Sequence, residues 1–225
     1  MFIELLEFLV NNIYVKFGST LFQQHIGIPM GTNCAPLLAD LYLFTYEYDY
    51  MQSLIKSKRL QKAISFNFCF RYIDDLITFQ NTYIHDAVKD IYPSSLELKE
   101  TTDSPDGTSY LDLYLFKDNN GFISRRLYDK RDDYNFAIVN YPFMDSNIPE
   151  GPAYGTYMSR LIAFARACQS LRDFNLRHEC LIKKLLSQGY NIKRLHSTFL
   201  KFGNKYQPIL AKYNTCVDRL WKFIL

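Results

Sequence analysis

The apolar positions of this chain change period several times, and each change marks an element. Residues 2–10, in MFIELLEFLV, set apolar side chains around Glu4 and Glu7, which predicts a short amphipathic helix rather than a basic-led signal peptide. IYVKF-GS-TLFQQHIGI then alternates on either side of Gly18-Ser19, the pattern of a β-hairpin. Gly27, Pro29 and Gly31 break that alternation. Pro36 fits the first turn of a new helix, where its missing N–H costs nothing, and Leu37, Leu38, Leu41, Phe44 and Tyr48 continue one apolar face. SLIKSKRLQKA reads as a basic connector. Phe66, Phe68, Phe70 and Tyr72 alternate with Asn67, Cys69 and Arg71, as in a half-buried strand, and residues 76–79 supply the return strand. Asp74-Asp75 is thereby placed at a hairpin tip.

Further on, NTYIHDAVKDIYP predicts a helix closed by Pro93, and LELKETT another strand. SYLDLYLFK-DNNG-FISRRLYDK carries the Asn-Gly signal of a hairpin, with Asp112 as one of its strand residues. Asp132-Asp133 reads as an exposed turn. YPFMDSNIPEGPAYG reads as a linker, and helical periodicity resumes in MSRLIAFARACQSL, near 173–188 and near 191–202. The order predicts an α+β fold in three stretches: a mixed-sheet region over 1–116, a supporting hairpin and linker over 117–150, and a helical region over 151–225.

Charge divides along the same line. Residues 1–116 hold 8 Lys and Arg against 14 Asp and Glu, residues 117–225 hold 18 against 9, and from Gly151 onward the count is 13 against 3. Helices this poor in carboxylates point toward a polyanion such as nucleic acid. Hydrophobic residues make up 48% and charged residues 22%, which excludes a disordered chain, and no run is apolar for long enough to span a bilayer. Five cysteines, an odd number with no Cys-x-x-Cys pair, read as reduced and mostly buried thiols of an intracellular protein, nuclear or cytoplasmic. The four histidines fit no metal-ligand spacing.

Two segments carry chemistry. FRYIDDLITF sets adjacent carboxylates at a turn. Asp favours turns for backbone reasons alone, but two carboxylates on a rigid tip also offer the hard oxygen ligands that Mg²⁺ takes together with substrate phosphates. GIPMGTNCAP has glycines that let backbone approach a ligand, and a proline that opens a helix whose first amides face the same side.

Together these segments resemble the reverse transcriptases. Gly31, Ala35 and Pro36 match Gly-x-x-x-small-Pro at the head of a helix, and Tyr72, Ile73, Asp74 and Asp75 match Tyr-x-Asp-Asp in a hairpin, with Asp74 43 residues after Gly31. Later blocks, SYLDLYLFKDNNGFISRRLYDKRDD and PAYGTYMSRLIAFARA, look most like Penelope-like retroelements, a telomerase-related group. The resemblance implies part of a polymerase palm followed by a helical thumb, acting in RNA-directed DNA synthesis. It implies Asp74 and Asp75 as ligands of Mg²⁺ or Mn²⁺, in a two-metal attack of a primer 3′-hydroxyl on a deoxynucleotide. It places Gly31, Ala35, Pro36 and Tyr72 around the incoming nucleotide, and Lys99 as donor to the leaving pyrophosphate, although Lys99 also reads as a solvated strand-end lysine. Lys183, Lys184, Lys193 and Arg194 would grip the phosphates of the RNA template and DNA primer. No membrane partner is implied.

The sequence departs from that family at several points. Met30 and Ala35 stand where the family often has Gln and Ser. The upstream strand bearing another essential aspartate has no counterpart, since only Glu4 and Glu7 precede Gly27. The expectation is a chain truncated at its N-terminus, inactive until a missing palm strand and fingers are supplied in the same or another chain, and lacking the C-terminal nuclease domain of many such elements. Two alternatives stay open: a non-catalytic nucleic-acid-binding fragment, and an unrelated metal-dependent phosphodiesterase.

Overall fold

The computed structural model describes every residue except Pro29, Ala137 and 223–225, and every side chain among them except those of Asp218 and Lys222. The chain divides into two compact units, Met1–Lys99 and Glu100–Leu225. The division falls at Lys99, not at 116 and 150, because the sheet after residue 100 shares a core with the helices that follow it.

In the first unit α1 (Phe2–Asn11) is followed by a hairpin of β1 (Tyr14–Phe17) and β2 (Thr20–Gln23), paired Tyr14 to Gln23. Helix α2 (Ala35–Lys56) has Pro36 in its first turn and runs 22 residues. The expected basic connector is instead the end of α2, a left-handed Lys58 (φ +57°) and a short helix α3 (Leu60–Ser65). Strands β3 (Cys69–Tyr72) and β4 (Asp75–Thr78) pair Cys69 with Thr78 and Tyr72 with Asp75. Helix α4 (Ile84–Ile91) ends where Tyr92 turns extended before Pro93. A small core of Ala87, Ile91 and Tyr92 gathers Leu43, Tyr46, Tyr50, Phe66 and Val88.

Two expectations for this unit are corrected. Phe66–Phe68 is a 3₁₀ turn, so the strand begins only at Cys69. Its faces are also the reverse of those the aromatic alternation predicts: Phe70 and Tyr72 are exposed, while Cys69 and Arg71 point inward. Arg71 is drawn to the inner face because the carboxylates able to satisfy its guanidinium lie there. The segment LELKETT forms no strand; residues 96–102 have no ladder partner.

The second unit opens with an antiparallel sheet in the order β5 (Gly107–Tyr110), β6 (Leu113–Lys117) and β7 (Ile123–Leu127). SYLDLYLFK is thus two strands, with Leu111 left-handed (φ +52°) and Asp112 between them, so Asp112 is a turn residue and not a strand residue. Helices α5 (Glu150–Ala167), α6 (Leu171–Ser187) and α7 (Ile192–Lys205) follow, with short α8 (Gln207–Leu210) and α9 (Val217–Lys222). Ser170 and Asn191 cap α6 and α7 by accepting from first-turn amides. The expected linker is corrected as well, since Tyr141 is buried in the core and α5 begins at Glu150. Leu127 from the sheet joins Tyr157, Leu161, Phe174, Leu185, Leu195, Phe199, Phe202 and Leu220 in one core. Helices α7 and α9 meet at Gly203, where a Cβ would lie 2.2 Å from Val217 Cγ1. All five cysteines are free, but only Cys168 is buried, while Cys180 and Cys216 are exposed.

Candidate functional site

The β3–β4 tip is a two-residue loop, Ile73-Asp74, between the paired residues Tyr72 and Asp75. Such loops need positive φ at the first central position, which normally calls for glycine. Here the position is Ile73, at φ +55°. The left-handed region costs a residue with a Cβ roughly 1–2 kcal/mol. Neighbouring contacts must therefore hold it there.

The holding group is Arg71. Its Nη1 donates to the Ile73 carbonyl at 3.0 Å and to Asp40 Oδ1 at 2.6 Å. Its Nε and Nη2 reach the two oxygens of Glu47 at 2.6 and 3.2 Å, and Nη2 also reaches the Asp40 carbonyl at 3.3 Å. Glu47 accepts from the Tyr92 hydroxyl at 2.7 Å. Hydrogen bonds from Arg71 to Glu47 and Asp40 hold the guanidinium firmly cationic, against the opposing effect of its burial. Burial, reinforced by Glu47, pushes the Tyr92 hydroxyl above its ordinary range. Asp40 and Glu47 are seven residues apart, two turns of α2, and so lie on one face of the helix.

Sequence reasoning missed Arg71, Asp40, Glu47 and Tyr92. The available signal was an arginine out of phase with an aromatic strand, matched by two helical carboxylates at i and i+7.

Asp74 and Asp75 are both exposed, and among the described residues neither side chain has a partner. Tyr72 lies across the ladder from Asp75 and is also exposed. Because Arg71 binds Asp40 on the second turn of α2, the tip is tied to the helix that the glycine motif opens. Gly31 is left-handed (φ +95°) with open space around it, Ala35 is buried at the helix start, and Pro36 occupies the first turn. Pro29 of the same motif lies outside the described residues.

The other site residues are dispersed. Lys99, corrected from a strand end to an irregular segment, is exposed, with its Nζ 3.6 Å from Glu97. In the second unit Lys183 pairs with Glu179 at 2.6 Å. Arg194 pairs with Glu150 and lies 4.8 Å over the Tyr154 ring. Lys184 and Lys193 are exposed, with no side-chain partner among the described residues. Asp132 pairs with Arg177, and Asp133 accepts from Tyr128 at 2.5 Å.

Among the described residues no group of three or more His, Cys, Asp or Glu is placed to hold a metal ion. Asp74 and Asp75 suit a hard cation that also takes ligands from a bound phosphate, and are too few for a site built of protein alone. No helix of the described residues is long and apolar enough to cross a membrane. No family model, curated protein or solved structure matches the chain significantly.

Proposed function

We propose that this chain carries part of the palm and the thumb of a reverse transcriptase of the Penelope-like kind, with Asp74 and Asp75 as the carboxylates of its nucleotidyl-transfer site. One observation supports this reading above the others: Asp74 in the two-residue turn and Asp75 beside it are exposed with no side-chain partner among the described residues, and the turn is tied through Arg71 to the helix that opens with Ala35 and Pro36.

When bound, Mg²⁺ would supply charge stabilisation at the phosphate oxygens. The protein's own part is to present two acceptor carboxylates, with Tyr72 opposite Asp75 across the ladder and open space at Gly31. Lys184 and Lys193 are available to duplex phosphates, whereas Lys183 and Arg194 are engaged with carboxylates and would exchange those partners on binding.

The test is primer extension on an RNA template. With no third carboxylate gathered at the tip among the described residues, residues 1–225 should extend no primer in Mg²⁺. Supplying an aspartate-bearing palm strand and fingers should restore extension, and Asp74→Ala should abolish it. Extension that survives Asp74→Ala would remove the assignment.

A second reading, a nucleic-acid-binding fragment without catalysis, is favoured by the 13 basic against 3 acidic residues from Gly151 onward. Under either reading, reversing charge at Lys184 and Lys193 should weaken duplex binding and lower the salt slope by about one unit for each phosphate no longer neutralised. Unchanged affinity would exclude both residues from the interface.

A further inference from the structure

We propose that Arg71 is the positioning residue of the Asp74-Asp75 tip, acting by clamping the Ile73 carbonyl so that the turn keeps its left-handed residue. Its role toward the two carboxylates rests on the nucleotidyl-transfer reading, whereas the clamp on the turn does not. Three observations meet at this side chain. Ile73, β-branched and half-buried, holds φ +55° where a turn of this kind ordinarily has glycine. Arg71 donates to the carbonyl of that same residue, the one side-chain hydrogen bond to the loop's backbone among the described residues. Arg71 is itself immobilised, with its side chain 12% exposed and its guanidinium shared among Asp40, Glu47 and two backbone carbonyls. A lysine has the charge but not the planar fork, and cannot reach both carboxylates and the turn at once.

The consequence is directional. The peptide joining Ile73 to Asp74 has its carbonyl fixed by Arg71, so the backbone entering Asp74 is fixed as well. Without the clamp, Ile73 relaxes toward an extended conformation and the tip widens, turning Asp74 away from Asp75. Glu47 and Tyr92 support the tip from behind by keeping Arg71 in register, which ties the end of α4 to a turn it does not itself supply.

The experiment uses the full chain with ¹³C,¹⁵N-labelled isoleucine, and Mn²⁺ as the probe ion, counted by electron paramagnetic resonance. Arg71→Gln should move the Ile73 Cα and Cβ resonances from left-handed to extended values while those of the core residue Ile91 stay in place. Mn²⁺ affinity should fall about tenfold, the scale on which supporting partners tune a metal site. Arg71→Lys should fall between Arg71→Gln and the native chain. Adding Ile73→Gly to Arg71→Gln should restore most of the affinity, since glycine takes positive φ without a clamp. It should also restore folding of the first unit if Arg71→Gln alone unfolds it.

Ile73 resonances unmoved by Arg71→Gln would overturn the clamp. So would a loss of affinity or folding that Ile73→Gly fails to rescue, because Arg71 would then act through charge or general packing. If the native chain shows no Mn²⁺ binding that Asp74→Ala removes, the nucleotidyl-transfer reading fails, and the Ile73 resonances alone decide the clamp.

Discussion

His178 and Phe70 sit in opposite surroundings. In the second unit His178 is wholly buried, with ring centroids of Phe199 at 4.8 Å, Trp221 at 5.8 Å, and Tyr157 and Phe174 at 5.9 Å. Its Nε2 meets the Tyr157 hydroxyl at 2.6 Å. In the first unit Phe70 and Tyr72, on the strand that leads to Asp74, stand more than half exposed at 52% and 58%. The same unit leaves the β1–β2 hairpin and the Leu37, Leu41, Phe44 and Tyr48 face of α2 uncovered. One unit is held by interlocked rings and the other by a small apolar core and a polar node at Arg71. Stability and the candidate chemistry are therefore carried by different kinds of interaction in different parts of the chain, and each kind can be perturbed separately.

The largest expected effect comes from emptying the aromatic core. Phe199→Ala should destabilise the second unit by about 3–5 kcal/mol, whereas Phe70→Ala should cost about 0.5 kcal/mol or less. Trp221 is the sole tryptophan and packs 5.3 Å from Phe199, so its fluorescence during urea unfolding reads the second unit. Hydrogen exchange of the β3–β4 amides reads the first. Equal losses would break the comparison.

Acid should act on the second unit through His178. Burial lowers its pKa to about 3, from an ordinary 6.5, so below pH 6.5 the unfolded chain binds a proton that the native unit refuses. The stabilisation from keeping it neutral is complete above pH 6.5 and is lost as the pH falls toward 3, at about 1.4 kcal/mol per pH unit. Urea midpoints by Trp221 fluorescence at pH 7, 5.5 and 4.5 should fall accordingly, and His178→Gln should flatten that slope. Asp129, whose carboxyl Arg131 holds down at about 2, adds a loss of the same sign only at lower pH.

A glycine tests the closeness of the helices. Gly203→Ala sets a Cβ against Val217 and should cost about 1–3 kcal/mol in the second unit, because α7 and α9 must separate. A modest effect is expected at the polar node. Tyr92→Phe removes the hydroxyl that donates to Glu47 but leaves Glu47 bonded to Arg71, and should cost about 1 kcal/mol. It should show as faster hydrogen exchange in α4 and β3–β4, with Trp221 unchanged. A larger loss in the second unit than in the first would mean that the two do not respond separately.

Much of this was legible before the fold was known, because the signals were local. Gly18-Ser19 marked a turn, Pro36 a helix start and Pro93 the end of a helix, and Asp74-Asp75 fell at a hairpin tip as the flanking apolar runs implied. LELKETT failed because β-propensity without a partner strand makes no ladder. SYLDLYLFK failed as a single strand because nothing in its alternation marks Leu111 as left-handed.

By itself the sequence determined the turns at Gly18-Ser19 and at Asp74-Asp75 and the helix start at Pro36, since backbone preference and periodicity act over a few residues. Only the tertiary structure decided which face of each element is covered. Phe70 and Tyr72 have the more apolar side chains, yet Arg71 turns inward, because its carboxylate partners, Asp40 and Glu47, stand on α2. Burying a guanidinium is favourable only where its donors are satisfied. Those acceptors lie 31 and 24 residues earlier in the chain, brought beside Arg71 by a helix whose apolar periodicity marks a different face.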